Sequence, residues 1–255
     1  MKKVSKAVLS AALLATLAGC SSKSEDTSLK DVQSAGELKI GLEGDWQPFS
    51  YHDEDDNLVG YDVEVATKVA GKLGVKAVIT EGPWDGLLTG LDTGVYGVDV
   101  TPERSETFDF TDAYAYDHID LVVKKDNTTI TSFEDLKGKK SANSTGSTYA
   151  EMGEEYGATV SNVPTLAETM ELVLNGTVDA TINADTSIQD YLNTTGEKGL
   201  KVVAQDDEAT EYAIPVKKGN TSLKEAINDA LKELREEGTL KELSIKYFGA
   251  DLTEK

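Results

Sequence analysis

At 255 residues the chain has room for one large domain or two lobes of ordinary size, and a hydrophobic share of 39% is enough for packed cores. A formal charge of -21 argues against nucleic acid as a partner and repels the chain from anionic membrane surfaces, so any membrane attachment should be covalent. The single cysteine excludes an internal disulfide.

Lys2, Lys3 and Lys6 form a positive stretch ahead of an apolar run over residues 8–17, too short to span a bilayer and shaped like a secretory signal. The run ends in Leu17-Ala18-Gly19-Cys20, which resembles a bacterial lipobox. That resemblance implies a signal peptide over residues 1–19 and Cys20 as the lipid-bearing first residue of the mature protein. Residues 20–28 are polar and without periodicity, as in a flexible tether.

Leu38-Lys39-Ile40-Gly41 is a short strand opening into a loop that holds Glu43, Gly44, Trp46, Pro48 and Phe49. A charged turn over 53–57 leads to Gly60-Tyr61-Asp62 and a helix with Val65, Ala66, Val69, Ala70 and Leu73 on one face, ended by Gly74. Residues 75–80 form the next strand. Residues 84–92 form the next helix, with Leu87, Leu88 and Leu91 as its apolar stripe and Gly94 as its stop. This βαβα alternation predicts a mainly parallel sheet.

The β-rich run 119–124 leaves the first unit, residues 132–136 make a small capped turn, and residues 139–143 form a strand of a second unit. Gly146-Ser147-Thr148 precedes a helix from Tyr149. Thr165 and Glu168 have capping-box spacing ahead of Leu166, Met170, Val173 and Leu174, and Gly176 closes that helix. Strand 179–183, a short helix 186–192 and strand 200–204 follow. Residues 212–216 return as one strand, and Ser222 with Glu225 is predicted to cap a long amphipathic helix carrying Leu223, Ile227, Leu231 and Leu234. Leu240, Leu243, Tyr247 and Phe248 extend its apolar face. A chain that builds one α/β unit, crosses to a second and returns should have two crossovers and a cleft between lobes, where small ligands bind. The expected boundaries are residues 29–118 plus 212–255 for lobe 1 and 119–211 for lobe 2.

The chemistry centres on Thr101-Pro102-Glu103-Arg104, followed by Phe108-Asp109-Phe110-Thr111-Asp112. An arginine fixed after a strand end by a proline turn offers two parallel N–H donors, the geometry a carboxylate wants. A lone arginine in an acidic protein is more often a surface cation. Here Trp84, at a strand-to-helix corner, offers an aromatic platform beside it, although Trp84 also suits a plain core.

From about Leu38 to Phe248 the chain resembles the polar amino-acid solute-binding proteins of bacterial ABC importers, the family 3 extracellular solute-binding proteins. The matching pieces are Trp46-x-Pro48-Phe49, Gly60-Tyr61-Asp62, Trp84-Asp85-Gly86-Leu87, Thr101-Pro102-Glu103-Arg104, Phe110-Thr111-Asp112 and Tyr247-Phe248-Gly249. Within the family, Lys140-Ser141-Ala142-Asn143-Ser144 and Asp179-Ala180-Thr181-Ile182-Asn183-Ala184 look most like the cystine-binding branch. The resemblance implies an α/β, two-lobed periplasmic-binding-protein-like fold of type II with the ligand cleft between the lobes. It also implies an exported monomer, lipid-anchored on the outer face of the cell membrane, that hands a polar amino acid, cystine-like preferred, to ABC permease subunits without cofactor, metal or catalysis.

The resemblance assigns roles residue by residue. Arg104 would clamp the α-carboxylate, and Gly146, Ser147 and Thr148 at a helix start would donate to the same group. Trp46 and Trp84 would sandwich the ligand side chain, with core packing an equal reading for each. The ammonium would go to Asp185 or Glu43. Asp99 and Thr101, close before Arg104, count among the ligand contacts. The chain departs from the family at segment 91–100, about five residues shorter, and at Ala184, where many members have Asp. Two rival readings use the same fold, an exported dehydratase-like enzyme and a surface adhesin or sensor. Against the enzyme, His52 and His118 have no Cys or Ser partner at a recognisable spacing, and no metal-ligand motif appears.

Overall fold

The computed structural model describes residues 26–89 and 98–255. Cys20 and the expected signal peptide lie outside the described residues, as do Leu91, Gly94 and Gly97 of the shortened segment.

The first unit opens with α1 (Ser28–Ala35), a helix absent from the sequence reading. Its start is tied to a distant part of the chain. The Asp26 carboxylate accepts from the N–H groups of Ser28 and Ser222, and the Ser222 hydroxyl accepts from the Leu29 N–H at 3.3 Å. Residues 26–28, read from sequence as the end of a tether, are thus bonded to a helix near the C-terminus.

β1 (Glu37–Leu42) alternates buried Leu38, Ile40 and Leu42 with outward residues, the period-2 pattern of a strand with one face on the core. A meander of β2 (Asp45–Trp46), β3 (Ser50–His52) and β4 (Leu58–Val59) leads to α2 (Tyr61–Lys72), which buries Tyr61, Val65, Ala66, Val69 and Ala70. Gly60 has φ 134°, and a Cβ there would collide with the Phe49 carbonyl. Its absence lets the N–H groups of Tyr61 and Asp62 reach the Pro48 and Phe49 carbonyls at 3.1 and 2.9 Å. Two separate sequence motifs, Trp46-x-Pro48-Phe49 and Gly60-Tyr61-Asp62, therefore make one corner. β5 (Lys76–Glu81) then pairs parallel with β1, and α3 (Trp84–Thr89), β6 (Val98–Asp99), α4 (Pro102–Thr107), β7 (Phe108–Phe110) and β8 (Ala115–Asp117) follow.

The second unit runs through β9 (Ile119–Lys124), β10 (Lys140–Asn143), α5 (Thr148–Glu155), β11 (Thr159–Asn162), α6 (Leu166–Asn175), β12 (Ala180–Ala184), α7 (Asp185–Thr195) and β13 (Leu200–Gln205). Its sheet has the order β11-β10-β12-β9-β13. β10 is parallel to β11 and β12, but β9 is antiparallel to both its neighbours, so this sheet is mixed, while the strands of the first unit's βαβα run, β1 and β5, pair parallel as expected. The strand that carries the chain in from the first unit enters against the direction of the strands made within the second. α6 starts with the predicted capping box, the Thr165 hydroxyl accepting from the Glu168 N–H at 3.2 Å and the Glu168 carboxylate from the Thr165 N–H at 3.3 Å.

The returning strand is split into β14 (Thr210–Ala213) and β15 (Pro215–Lys217). Ile214 between them bonds Thr111 twice, its N–H to the hydroxyl at 3.0 Å and its carbonyl to the Thr111 N–H at 3.1 Å. β14 lies between β6 and β8, and β15 pairs with β7. α8 (Thr221–Glu236) buries Leu223, Ile227, Leu231 and Leu234, and α9 (Thr239–Phe248) buries Leu240 and Leu243. The predicted Ser222–Glu225 cap does not form. α8 begins two residues earlier, no side chain caps it at Asn220, and Asp26 supplies the anion that its first turn favours.

Candidate functional site

A cleft opens beside the ends of β1, β5, β10 and β11. Its outer part, about 550 Å³, is lined by residues such as Gly44, Glu81, Thr145 and Asn162. An inner part of about 40 Å³ is lined by Trp46, Asp99, Ser147, Tyr149 and Asn183. Glu43, Asp45, Trp84, Ser144 and Pro164 line both, so the two parts are continuous. Glu43 and Ser144 stand just past the C-terminal ends of β1 and β10, and Glu81 and Asn162 at those of β5 and β11. This is the end of an α/β sheet where ligands bind.

Arg104 is placed by its own helix. Thr101 caps α4, its hydroxyl accepting from the Arg104 N–H at 3.2 Å, and Pro102 at the first helical position fixes the turn. Thr101 therefore acts on the site through Arg104. The guanidinium is buried, donating from Nη1 to the Asp99 carbonyl and from Nη2 to the Gly146 carbonyl, both at 3.2 Å. It also lies 3.5 Å from the Asp99 carboxylate and 5.2 Å from the centre of the Trp84 ring.

Gly146 is the meeting point of the two units. Its carbonyl also accepts from the Trp84 indole N–H at 3.1 Å. The next residue, Ser147, caps α5, accepting from the Ala150 N–H at 3.1 Å and donating to the Ser144 carbonyl at 2.8 Å. The Thr148 hydroxyl lies beside the Asp99 carboxylate. An arginine and the positive end of an eight-residue helix thus converge on one place, an arrangement suited to an anionic group.

Trp46 serves packing and cleft together, while Trp84 lines the cleft and meets Arg104 and Gly146. Trp46 stacks on Phe49 with ring centres 4.2 Å apart, touches Tyr212, and still lines the inner cavity. At the cavity floor the Tyr149 and Tyr212 hydroxyls meet at 3.0 Å, linking α5 to β14.

The carboxyl groups have few counter-charges. Burial, then Asp45 and Asp62, push Glu43 up to about 8. Burial also raises Asp99, against the pull of Arg104. Asp185, the other expected ammonium ligand, lines neither cavity. It opens α7, with its N–H on the His118 carbonyl and its carboxylate accepting from Gln189 at 3.0 Å and facing Asp120. Ala184 ends β12 buried in the core, and Asp185 falls in the first turn of α7. Among the described residues no group of three His, Cys, Asp or Glu side chains is placed to hold a metal ion.

Sequence reasoning passed over Glu81, Asp45, Tyr149, Asn183 and Asn162. The signal for Glu81 and Asn162 was their position at strand C-terminal ends. Tyr149 and Asn183 sat inside segments already singled out, but nothing in their spacing separated a cleft side chain from a core one.

Fold and site define a class, a two-unit α/β ligand-binding protein with its cleft between the units. The chain belongs to the bacterial extracellular solute-binding proteins, family 3, whose model matches residues 38–250. The L-cystine-binding protein TcyA of Bacillus subtilis is 36% identical over 99% of this chain and 100% of its own length. The crystal structure of the amino acid ABC transporter substrate-binding protein AbpA from Streptococcus pneumoniae, bound to L-arginine, has a TM-score of 0.79 and 28% identity, covering 89% of this chain and 100% of that one. The ancestral amino acid-binding protein AncCDT-1, a precursor of cyclohexadienyl dehydratase, has a TM-score of 0.78 and 31% identity, covering 87% and 99%. Among the described residues no helix is long and apolar enough to cross a membrane.

Proposed function

We propose that the chain is the capture component of an amino-acid ABC importer, binding a polar amino acid, with cystine preferred, and presenting it to the permease. The observation that carries this reading is the convergence of Arg104, Trp84 and the start of α5 on Gly146, beside a cleft deep enough for a whole small molecule. Arg104 and the α5 N-terminus take the α-carboxylate, and Glu43 takes the ammonium. The preference for cystine is supported by the likeness to TcyA. The function is binding rather than turnover, since relatives spanning the whole chain are binding proteins. We assign residues 29–118 and 212–255 to lobe 1 and 119–211 to lobe 2; the pairing of β14 and β15 with first-unit strands supports the return, and it begins two residues earlier, at Thr210 against Asp117. The mature monomer begins at a lipidated Cys20.

A thermal-shift screen over the amino acids tests the reading, because a ligand that binds only the folded form raises Tm. A rise with cystine supports it. No rise with any amino acid would reject it.

A further inference from the structure

We infer that Glu81, with Asp45, selects ligands that carry a second cationic group at the end remote from the α-carboxylate. The inference rests on the reading that Arg104 and α5 hold that carboxylate at the inner end of the cleft. A ligand fixed there extends outward past Glu43 into the outer chamber. Among the described residues that line this chamber, Glu43, Asp45 and Glu81 are ionisable acids, and none is Lys, Arg or His. The opposite wall offers the neutral groups of Ser144, Thr145 and Asn162.

Two observations separate this from an ordinary acidic surface. The first is Glu43, half-buried and facing both parts of the cleft, with no hydrogen bond or ion pair to any described residue. No described residue partners it, so its carboxyl is available to a donor that enters the cleft. The second is the way Glu81 is held. It ends β5, opposite Leu42 of β1, and lies so close over Gly44 that a Cβ there would overlap its Oε2. His52 bonds that same oxygen at 2.7 Å, so the side chain is fixed by one oxygen while Oε1 carries no bond to a described residue.

Charge then decides which ligands fit. A second carboxylate placed against Glu81 and Asp45 would be repelled, and a purely apolar end would take water from Asp45 and from the free oxygen of Glu81 while leaving His52 as the sole partner of Glu81 among the described residues. An ammonium or guanidinium meets them favourably. Lysine-like amino acids satisfy this directly. Cystine satisfies it through its second ammonium, with its second carboxylate turned to the Ser144, Thr145 and Asn162 wall.

Calorimetry on the full mature chain with two matched pairs tests the inference, L-lysine against L-norleucine and L-cystine against S-methyl-L-cysteine, each with wild type and Glu81→Gln. In at least one pair the dicationic member should bind about ten-fold tighter, and Glu81→Gln should narrow that gap about five-fold, the upper range for a half-exposed charge pair. Equal binding within both pairs, or a gap that Glu81→Gln leaves unchanged, would overturn the inference while leaving amino-acid capture intact. No binding by these four or any other free amino acid would overturn the capture reading and this inference with it.

Discussion

Arg104 and Asp99 form a buried pair, with Nη1 3.5 Å from the carboxylate and each side chain less than a tenth exposed. The pair matters to folding, because a carboxylate already raised by burial loses the one cation paired with it among the described residues when Arg104 is cut back. Arg104→Ala should destabilise the fold by about 3 to 5 kcal/mol, the usual cost of orphaning a buried charge. Asp99→Asn in the same background should recover part of the loss. Urea unfolding of the three proteins measures it, and an Arg104→Ala variant as stable as wild type would remove the pair from the energetics.

Tyr149 and Tyr212 share one hydrogen bond in complete burial, across the two units. Tyr149→Phe or Tyr212→Phe alone strands the partner hydroxyl and should cost about 1 to 3 kcal/mol, while the double Phe variant should cost less than the sum. Additive losses in a double-mutant cycle would mean that the hydroxyls do not depend on each other.

Asp62 gives a pH test. Complete burial pushes it up to about 7, against the Tyr114 hydroxyl that donates to it at 2.8 Å. An unfolded aspartate titrates near about 3.9, so between about 4 and 7 the native chain holds a proton that the unfolded chain has lost. The neutral acid's contribution is therefore full below about pH 4 and is lost as pH rises through about 7. Asp62→Asn should be more stable than wild type at pH 8, with the difference shrinking toward pH 5. Denaturant midpoints that keep a constant offset between those pH values would refute the assignment.

Much of this architecture was legible because strands and helices here follow their own periodicity. β9 and the α6 capping box stand where the residue pattern put them, since a continuous β-rich run and a Thr–Glu spacing are local signals. What escaped needed partners far away in sequence. α1 starts on Asp26 and Ser222, residues nearly two hundred positions apart, and no local cap announces it. The 212–216 run looks continuous in sequence, yet Thr111 takes both backbone groups of Ile214 and splits it. Around the cleft, Arg104 and Trp84 stood out in sequence through their turns, whereas Asp185 opens α7 and lines neither cavity, and Glu81 has no motif beyond its place at a strand end.

Lipid anchoring at Cys20 makes a separate prediction. Cys20→Ala should move the protein from the membrane fraction to the medium, because attachment of an otherwise anionic chain depends on acyl groups. Retention of the variant in the membrane with its signal uncut would reject the lipobox.

The most direct measurement is a calorimetric titration of wild type and Arg104→Ala with L-cystine and with L-cystine dimethyl ester, which masks both carboxylates. Capture through the carboxylate predicts binding of the free acid by wild type, an Arg104→Ala affinity lower by about thirty-fold or more, and little binding of the ester by either protein. Equal affinity of wild type for acid and ester, or equal affinity of wild type and variant for the acid, would contradict it.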